Sequence, residues 1–168
     1  GLDRVQLVVR LADGLLRHRV AAGNRAHAAH WTSAEVVEVA RELEDALEQQ
    51  RARLMSQAVL LAYEDELVGE WLRRVAQLPG FGEVSALRFL AYAGDLRRFP
   101  NARAFAAYTG LAPRLEQSGA SEGTGRISRV GSRALRGVLY WAAVSATRSN
   151  STQGSYYRRM VAAGKPKK

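Results

Sequence analysis

From Val36 onward, apolar residues recur with a seven-residue period, stepping by four and then three. The positions are Val36, Ala40, Leu43, Leu47, Gln50, Leu54, Gln57 and Leu61, and the alternation resumes after Glu64 at Val68, Trp71, Val75 and Leu78. A stripe of this period reads as one face of an α-helix. It predicts a single long helix, bent near Gly69. No helix buries such a stripe alone, so a partner is required. The partner is either an earlier helix of the same chain, giving an antiparallel hairpin, or a second copy, giving a coiled coil. The polar interruptions Gln50, Gln57 and Glu64 can select between pairing states. The sequence leaves both open.

An earlier helix is available. Leu2, Val5, Val8, Val9, Ala12, Leu15 and Leu16 fall on one broad face at helical spacing, which predicts a helix over residues 2–22 with Gly23-Asn24 as its stop. Residues 24–31 read as a short polar link. Thr32 and Glu35 have capping-box spacing at the start of the heptad helix. Further on, helices are predicted over 83–93, 101–108 and 132–147, with a glycine-rich loop over 112–131 between the last two. The tail from Asn150 is polar, and Lys165-Pro166-Lys167-Lys168 is expected to be disordered. Strands do not alternate with helices, so no parallel sheet is encoded. The fold class is mainly α: long heptad-bearing helices over 1–77, a small helical domain over 78–150, and a flexible basic tail over 151–168.

The charge divides along the same line. Residues 1–82 carry 10 basic and 12 acidic side chains, whereas residues 83–168 carry 15 basic and 4 acidic ones. The net charge of +9 therefore belongs to the second half. Such a surface attracts polyphosphate and releases counterions on binding it. There is no cysteine, which excludes disulfides and thiolate metal sites. His18, His27 and His30 are too few for a zinc site on their own. No apolar run is long enough to span a membrane and no signal peptide is visible. A cytoplasmic protein is the expectation. The first residue is glycine rather than methionine, which suggests a processed or excised piece.

Two motifs in the basic half carry chemistry. The first is Leu78-Pro79-Gly80-Phe81-Gly82-Glu83-Val84-Ser85-Ala86. Pro79 ends the preceding helix, and Gly80 and Gly82 permit backbone angles and close approaches that a Cβ would block. Phe81 can turn inward, and Ala86 keeps the next helix thin. The pattern resembles the helix-hairpin-helix motif, in which hairpin amides and a helix N-terminus face a phosphate without reading sequence. Arg88, Arg97 and Arg98 lie downstream as further phosphate contacts. A plain turn between helices is the competing reading.

The second motif runs from Gly110-Leu111-Ala112-Pro113 through Gln117-Ser118-Gly119 to Gly125-Arg126-Ile127-Ser128-Arg129-Val130-Gly131-Ser132-Arg133-Ala134-Leu135-Arg136. Arg126, Arg129, Arg133 and Arg136 recur every three or four residues on a loop and a helix start, a phosphate-reading arrangement. Ser118 sits ahead of them beside a glycine, where guanidinium groups would stabilise a phosphoryl oxyanion. By residue chemistry alone, a Ser-Gly pair is more often a turn. Ser121, Ser128 and Ser132 compete for the role, and Ser132 reads better as a helix cap.

Taken together, Leu78-Pro79-Gly80-Phe81-Gly82, Gly94-Asp95 with Arg98-Phe99, Ala107-Tyr108-Thr109-Gly110-Leu111-Ala112-Pro113, Ser118-Gly119 and Gly125 through Arg136 resemble a known domain. It is the C-terminal transposase domain of insertion-sequence recombinases that carry an N-terminal RuvC-like Asp-Glu-Asp-Asp domain, shared by related DNA invertases. The resemblance covers nearly half of the chain. It implies DNA cleavage and rejoining through a serine that becomes covalently linked to the DNA, and this serine maps best onto Ser118. It also implies magnesium held by the RuvC-like domain of the intact enzyme, guidance by a structured RNA, and oligomers formed through the heptad segment. Gly80, Gly82, Arg126, Arg129, Arg133 and Arg136 would contact the nucleic acid.

The acids of this chain depart from that pattern. Glu42, Glu44, Asp45 and Glu48 crowd one helix, and Asp3 and Asp13 lack strand context. The expectation is therefore a chain that binds no metal or cofactor itself, and that binds DNA or RNA without recombining DNA alone. The alternative is a non-enzymatic helix-hairpin-helix nucleic-acid-binding module. A third reading is a protein scaffold built on the heptad helix.

Overall fold

The structure, a computed structural model, describes residues 1–29, 33–114, 126–127 and 130–165. Helices dominate: α1 (Leu2–Ala29), α2 (Ala34–Tyr63), α3 (Glu66–Ala76), α4 (Glu83–Ala93), α5 (Ala102–Thr109), α6 (Arg133–Thr147) and α7 (Thr152–Ala162). A short 3-10 turn covers Leu96–Arg98, and two two-residue strands, β1 (Pro113–Arg114) and β2 (Arg126–Ile127), pair antiparallel. The chain divides within α3 into two compact units, Gly1–Trp71 and Leu72–Lys168. No described helix is long and apolar enough to cross a membrane.

In the first unit, α1 and α2 pack as an antiparallel hairpin. Arg4 near the start of α1 pairs with Glu64 at the end of α2 at 3.6 Å. Arg19, further along α1, reaches back to Glu44 and Glu48 at 3.8 and 3.4 Å. Of the two partners that the heptad allowed, the earlier helix of the same chain is thus in place. The seam is not the predicted stripe, however. On α2 the buried residues are Val37, Met55, Ala58 and Ala62, while Val36 and Leu43 remain half-exposed. The seam lies one position further along the helix, and its middle is ionic. Glu48 accepts two hydrogen bonds from Arg51, and Asp13 of α1 is buried at 6% exposure. Charged residues occupy seam positions there, so the apolar period of the sequence runs along the neighbouring row.

Three further expectations change. Helix α1 runs on to Ala29, past Gly23-Asn24. A stop glycine takes a positive φ, and Gly23 is not among the glycines that do. It lies where a Cβ would stand 3.1 Å from the Glu44 carboxylate, so its small size serves the approach of α2. The second change concerns the predicted long helix, which breaks at Glu64–Asp65 rather than bending near Gly69. The Asp65 carboxylate accepts the Val68 amide at 3.0 Å and starts α3 anew. Third, helix α2 is capped by Ser33, whose hydroxyl accepts the Val36 amide at 3.4 Å. Thr32, the expected cap, lies outside the described residues.

In the second unit, α4 buries Ala86, Leu87, Phe89, Leu90, Ala91 and Ala93 and packs against α6, which contributes Leu135, Val138, Ala142 and Ala146. Alanines on both sides let the axes approach closely. Phe81, Phe89, Phe105, Phe99 and Tyr108 form a chain of ring contacts with centroids 5.1 to 5.8 Å apart. Edge-on aromatic pairs of this kind add to the stability gained from burial alone. The expected helices over 83–93, 101–108 and 132–147 correspond to α4, α5 and α6. The expected flexible tail instead contains α7, capped by Ser151, whose hydroxyl accepts the Gly154 amide at 3.2 Å. Its polar sequence hid a helix that packs on α6.

Candidate nucleic-acid interface

The hairpin after α3 is tight. Leu78 accepts the Phe81 amide at 3.0 Å, and its own amide donates to Val75. Gly80 adopts φ +89°, and a Cβ there would collide with the Ala142 carbonyl oxygen and stand 3.0 Å from the Ala146 nitrogen. Its missing side chain thus admits the backbone of α6. Gly82 has ordinary extended geometry and caps α4. Its amide donates to the Ser85 hydroxyl at 2.8 Å, and apart from the adjoining residues no atom of the described residues lies within 4 Å of its Cβ position. Phe81 turns onto Phe89, and Ala86 is fully buried, as their places in the motif anticipated. Glu83 in the first turn of α4 places a carboxylate at the positive end of the helix.

The arginines that follow are engaged locally. Arg97 binds the Asp95 carboxylate with two side-chain hydrogen bonds of 3.0 and 2.9 Å. Those hydrogen bonds hold the Asp95 carboxyl below its ordinary value and raise Arg97 above its own. Arg98 donates to the Ala93 carbonyl at 2.8 Å and lies over the rings of Phe99 and Tyr108 at 4.7 and 4.4 Å. It covers the end of the aromatic chain, a cation–π arrangement. Arg88 is half-buried.

The serine loop has a closed neck. Helix α5 ends at Gly110 in the left-handed conformation, φ +72°. A Cβ on Gly110 would collide with the Val130 carbonyl, and one on Gly131 with the Tyr108 carbonyl. The two strands of chain therefore cross in backbone contact, which only glycine permits there. Arg136 reaches back from α6 and donates to the carbonyls of Thr109 and Gly131 at 3.2 and 3.1 Å. One guanidinium thus holds both sides of the neck. Beyond it, β1 and β2 pair with Pro113 opposite Ile127 and Arg114 opposite Arg126. This short ladder was not anticipated from the glycine content of residues 112–131.

The predicted site residues are thus distributed as follows. Gly80 faces α6, and Gly82 caps α4. Arg126 lies in β2, and Arg133 is exposed at the first turn of α6. Arg136 clamps the neck. Ser132 caps α6, accepting the Leu135 amide at 3.2 Å. Ser118 and Arg129, with the competing serines Ser121 and Ser128, lie outside the described residues. Among the described residues, no group of three or more acidic, histidine or cysteine side chains could hold a metal ion. The magnesium that the resemblance implies therefore has no fitting ligand set among them.

Sequence reasoning missed two features. Thr109 is fully buried, and its hydroxyl donates to the Ala106 carbonyl at 2.8 Å, shaping the entry to the neck. Tyr140 and Trp141 are exposed by 58% and 68% on α6. The inner row of that helix is 135, 138, 142 and 146, and both aromatics fall off it, so the helical spacing alone could have marked them.

A family model described as Transposase IS116/IS110/IS902 family matches residues 72–158. A probable family 20 transposase of Pseudomonas aeruginosa is 36% identical over 114 residues, covering 66% of this chain and 32% of that protein. The transposase for insertion sequence element IS1111A of Coxiella burnetii is 38% identical over 82 residues, covering 46% of this chain and 22% of that protein. A pilin gene-inverting protein of Moraxella lacunata is 37% identical over 97 residues, covering 56% and 30%. The chain spans about a third or less of the length of these relatives. The family match takes in just over half of the chain, including the hairpin, the loop neck and α6, and on that ground the chain belongs to the IS116/IS110/IS902 transposase family.

Proposed function

We propose that the second unit is the DNA-handling domain of a transposase or site-specific recombinase, with Ser118 as the nucleophile for strand cleavage and rejoining. The observation that carries this reading is the closed neck. Gly110 crosses Gly131, Arg136 ties both sides, and the β1–β2 ladder sets Arg114 opposite Arg126 in register. The neck joins the two ends of the segment that contains Ser118, and the sequence sets Arg114, Arg126, Arg129 and Arg133 beside that segment, a cluster of guanidinium groups suited to a phosphoryl oxyanion.

In the proposed step, the Ser118 hydroxyl oxygen attacks a backbone phosphorus. The P–O bond to one DNA hydroxyl breaks, and that hydroxyl leaves with a proton. The number of phosphodiesters is conserved, so rejoining is the same exchange in reverse. Arg126, Arg129 and Arg133 neutralise the phosphate, while Arg136 acts through the neck. The hairpin at Gly80 and Gly82 adds a phosphate grip at the start of α4. In the intact protein the same reading includes a RuvC-like domain with its magnesium, a structured guide RNA, and assembly of several copies in the bacterial cytoplasm at the nucleoid. Assembly is supported by the apolar residues that the α1–α2 hairpin leaves outside, Leu7, Leu11, Val39 and Leu60 among them. The present chain alone is expected to bind DNA without recombining it.

The test is trapping. Intact protein with Ser118→Ala should lose the covalent protein–DNA adduct while retaining DNA binding. An adduct that survives the substitution removes Ser118 from the role and leaves a non-enzymatic nucleic-acid-binding module as the better reading of this chain.

A further inference from the structure

Helix α6 has two faces. The inner row, Leu135, Val138, Ala142 and Ala146, is buried. On the outer side, Arg133, Gly137, Tyr140, Trp141 and Arg148 all fall within an arc of roughly 100° at the helical 100° per residue, and all five are exposed. Tyr140 and Trp141 meet edge to face with centroids 5.4 Å apart. Beyond the helix's own backbone and the adjoining residues, no atom of the described residues lies within 4 Å of the Cβ position of Gly137, which leaves the ground between Arg133 and the aromatic pair uncovered by them. An exposed Trp–Tyr pair is costly in water and marks a surface made for contact.

Charge indicates what covers it. From Arg126 to Lys168 the chain carries ten basic residues and no acidic one. The aromatic pair lies between Arg133 and Arg148, which stand about 22 Å apart along the helix. A partner that brings negative charge at both ends and flat apolar surface in the middle fits this row. A DNA duplex presents phosphates but keeps its base faces stacked inside. An unpaired strand presents both, because its bases can leave the stack and lie on aromatic rings.

We infer that the outer face of α6 is a docking site for unpaired DNA, with Trp141 stacking on a base, Tyr140 bracing the indole edge to face, and Arg133 and Arg148 holding phosphates on either side. This rests on the reading of the second unit as DNA-handling and adds to it a surface, a strand state and two aromatic residues. The face meets the proposed cleavage site at Arg133, and extends from it along α6 to Arg148, while Arg136 is committed to Thr109 and Gly131 at the neck.

The experiment measures binding of the 168-residue chain to three labelled probes by fluorescence anisotropy: oligothymidine, oligouridine, and a DNA duplex of equal length. Trp141→Ala should weaken oligothymidine binding by about tenfold, the usual loss for one stacking aromatic. Duplex affinity should change by less than about twofold, since the phosphate contacts remain. Trp141→Phe should restore most of the oligothymidine binding. Trp141 is exposed, so unfolding is not expected, and an unchanged thermal melt confirms it. Unchanged oligothymidine affinity overturns the inference, as does an equal loss on duplex. A loss confined to oligouridine makes RNA the occupant and also overturns it. So does a fall in oligomeric mass with binding unaltered, which would make the face an interface between copies. A wild-type chain that binds none of the probes ends the DNA reading as well. Wild-type binding that Trp141→Ala leaves intact ends only the present inference.

Discussion

Gly80 and Arg136 show how a residue can match a functional motif and still be fixed by packing. Gly80 belongs to a sequence pattern that suggests phosphate contact, yet its missing Cβ is filled by the backbone of α6. Gly80→Ala combines that collision with a positive φ, and should destabilise the second unit by roughly 3 kcal/mol. Gly82→Ala, with open space and ordinary geometry, should cost less than about 1 kcal/mol. Urea unfolding of the two variants separates them, and equal effects would contradict the packing account. Arg136 was legible as a basic residue near the loop but not as its clasp, because its acceptors are carbonyls 27 and 5 residues away. Arg136→Ala should cost roughly 1–2 kcal/mol from two charged hydrogen bonds. It should also speed amide exchange at Gly110 and Gly131. Protection unchanged at both glycines would argue against the clasp. The hairpin's Phe81 and Ala86 were readable because their roles are local, whereas Gly80 needed the position of a helix some 60 residues later.

At the level of elements, the helices α4, α5 and α6 followed from short-range signals, namely a capping residue, an apolar row and a breaker. The α1–α2 hairpin was harder. Its period is visible in the sequence, but the seam lies one position off the apolar row because Glu44, Glu48 and Arg51 occupy seam positions. Arg51 compensates Glu48 within the helix, and Arg19 approaches from α1. The hydrogen bonds from Arg51 hold the Glu48 carboxyl below its ordinary value of 4.5. Partial burial opposes them, and the charges of Arg51 and Arg19 add to them. The stability this provides is fully present above that ordinary value and is lost as the pH falls through the lower folded-state pKa. Glu48 is more than a third exposed, so the contribution is at most about 1 kcal/mol. Thermal melts of wild type and Glu48→Gln from neutral pH downward should therefore converge on the acid side. A constant gap across that range would contradict the assignment. Helix α7 escaped the sequence because its residues are polar, and its start depends on Ser151 and the close seat of Gly154 rather than on an apolar row.

For the molecule as a whole, the division of charge proved more informative than any single residue. The acidic side chains gather in the first unit, where several of them build the hairpin, and the second unit retains a basic surface with few acids to offset it. That contrast was plain from composition. How the basic residues divide the work was not, since Arg97 and Arg98, though exposed, donate to Asp95 and Ala93, Arg136 donates across the neck, and Arg133 and Arg148 stand exposed along α6. The central claim is that this surface binds DNA through its phosphates. The most direct measurement is the affinity of the 168-residue chain for a DNA duplex across a series of salt concentrations. The account predicts that the logarithm of affinity falls linearly with the logarithm of salt, with a slope of several units, one for roughly each phosphate neutralised. Affinity that is independent of salt, or no binding even at low salt, would contradict it.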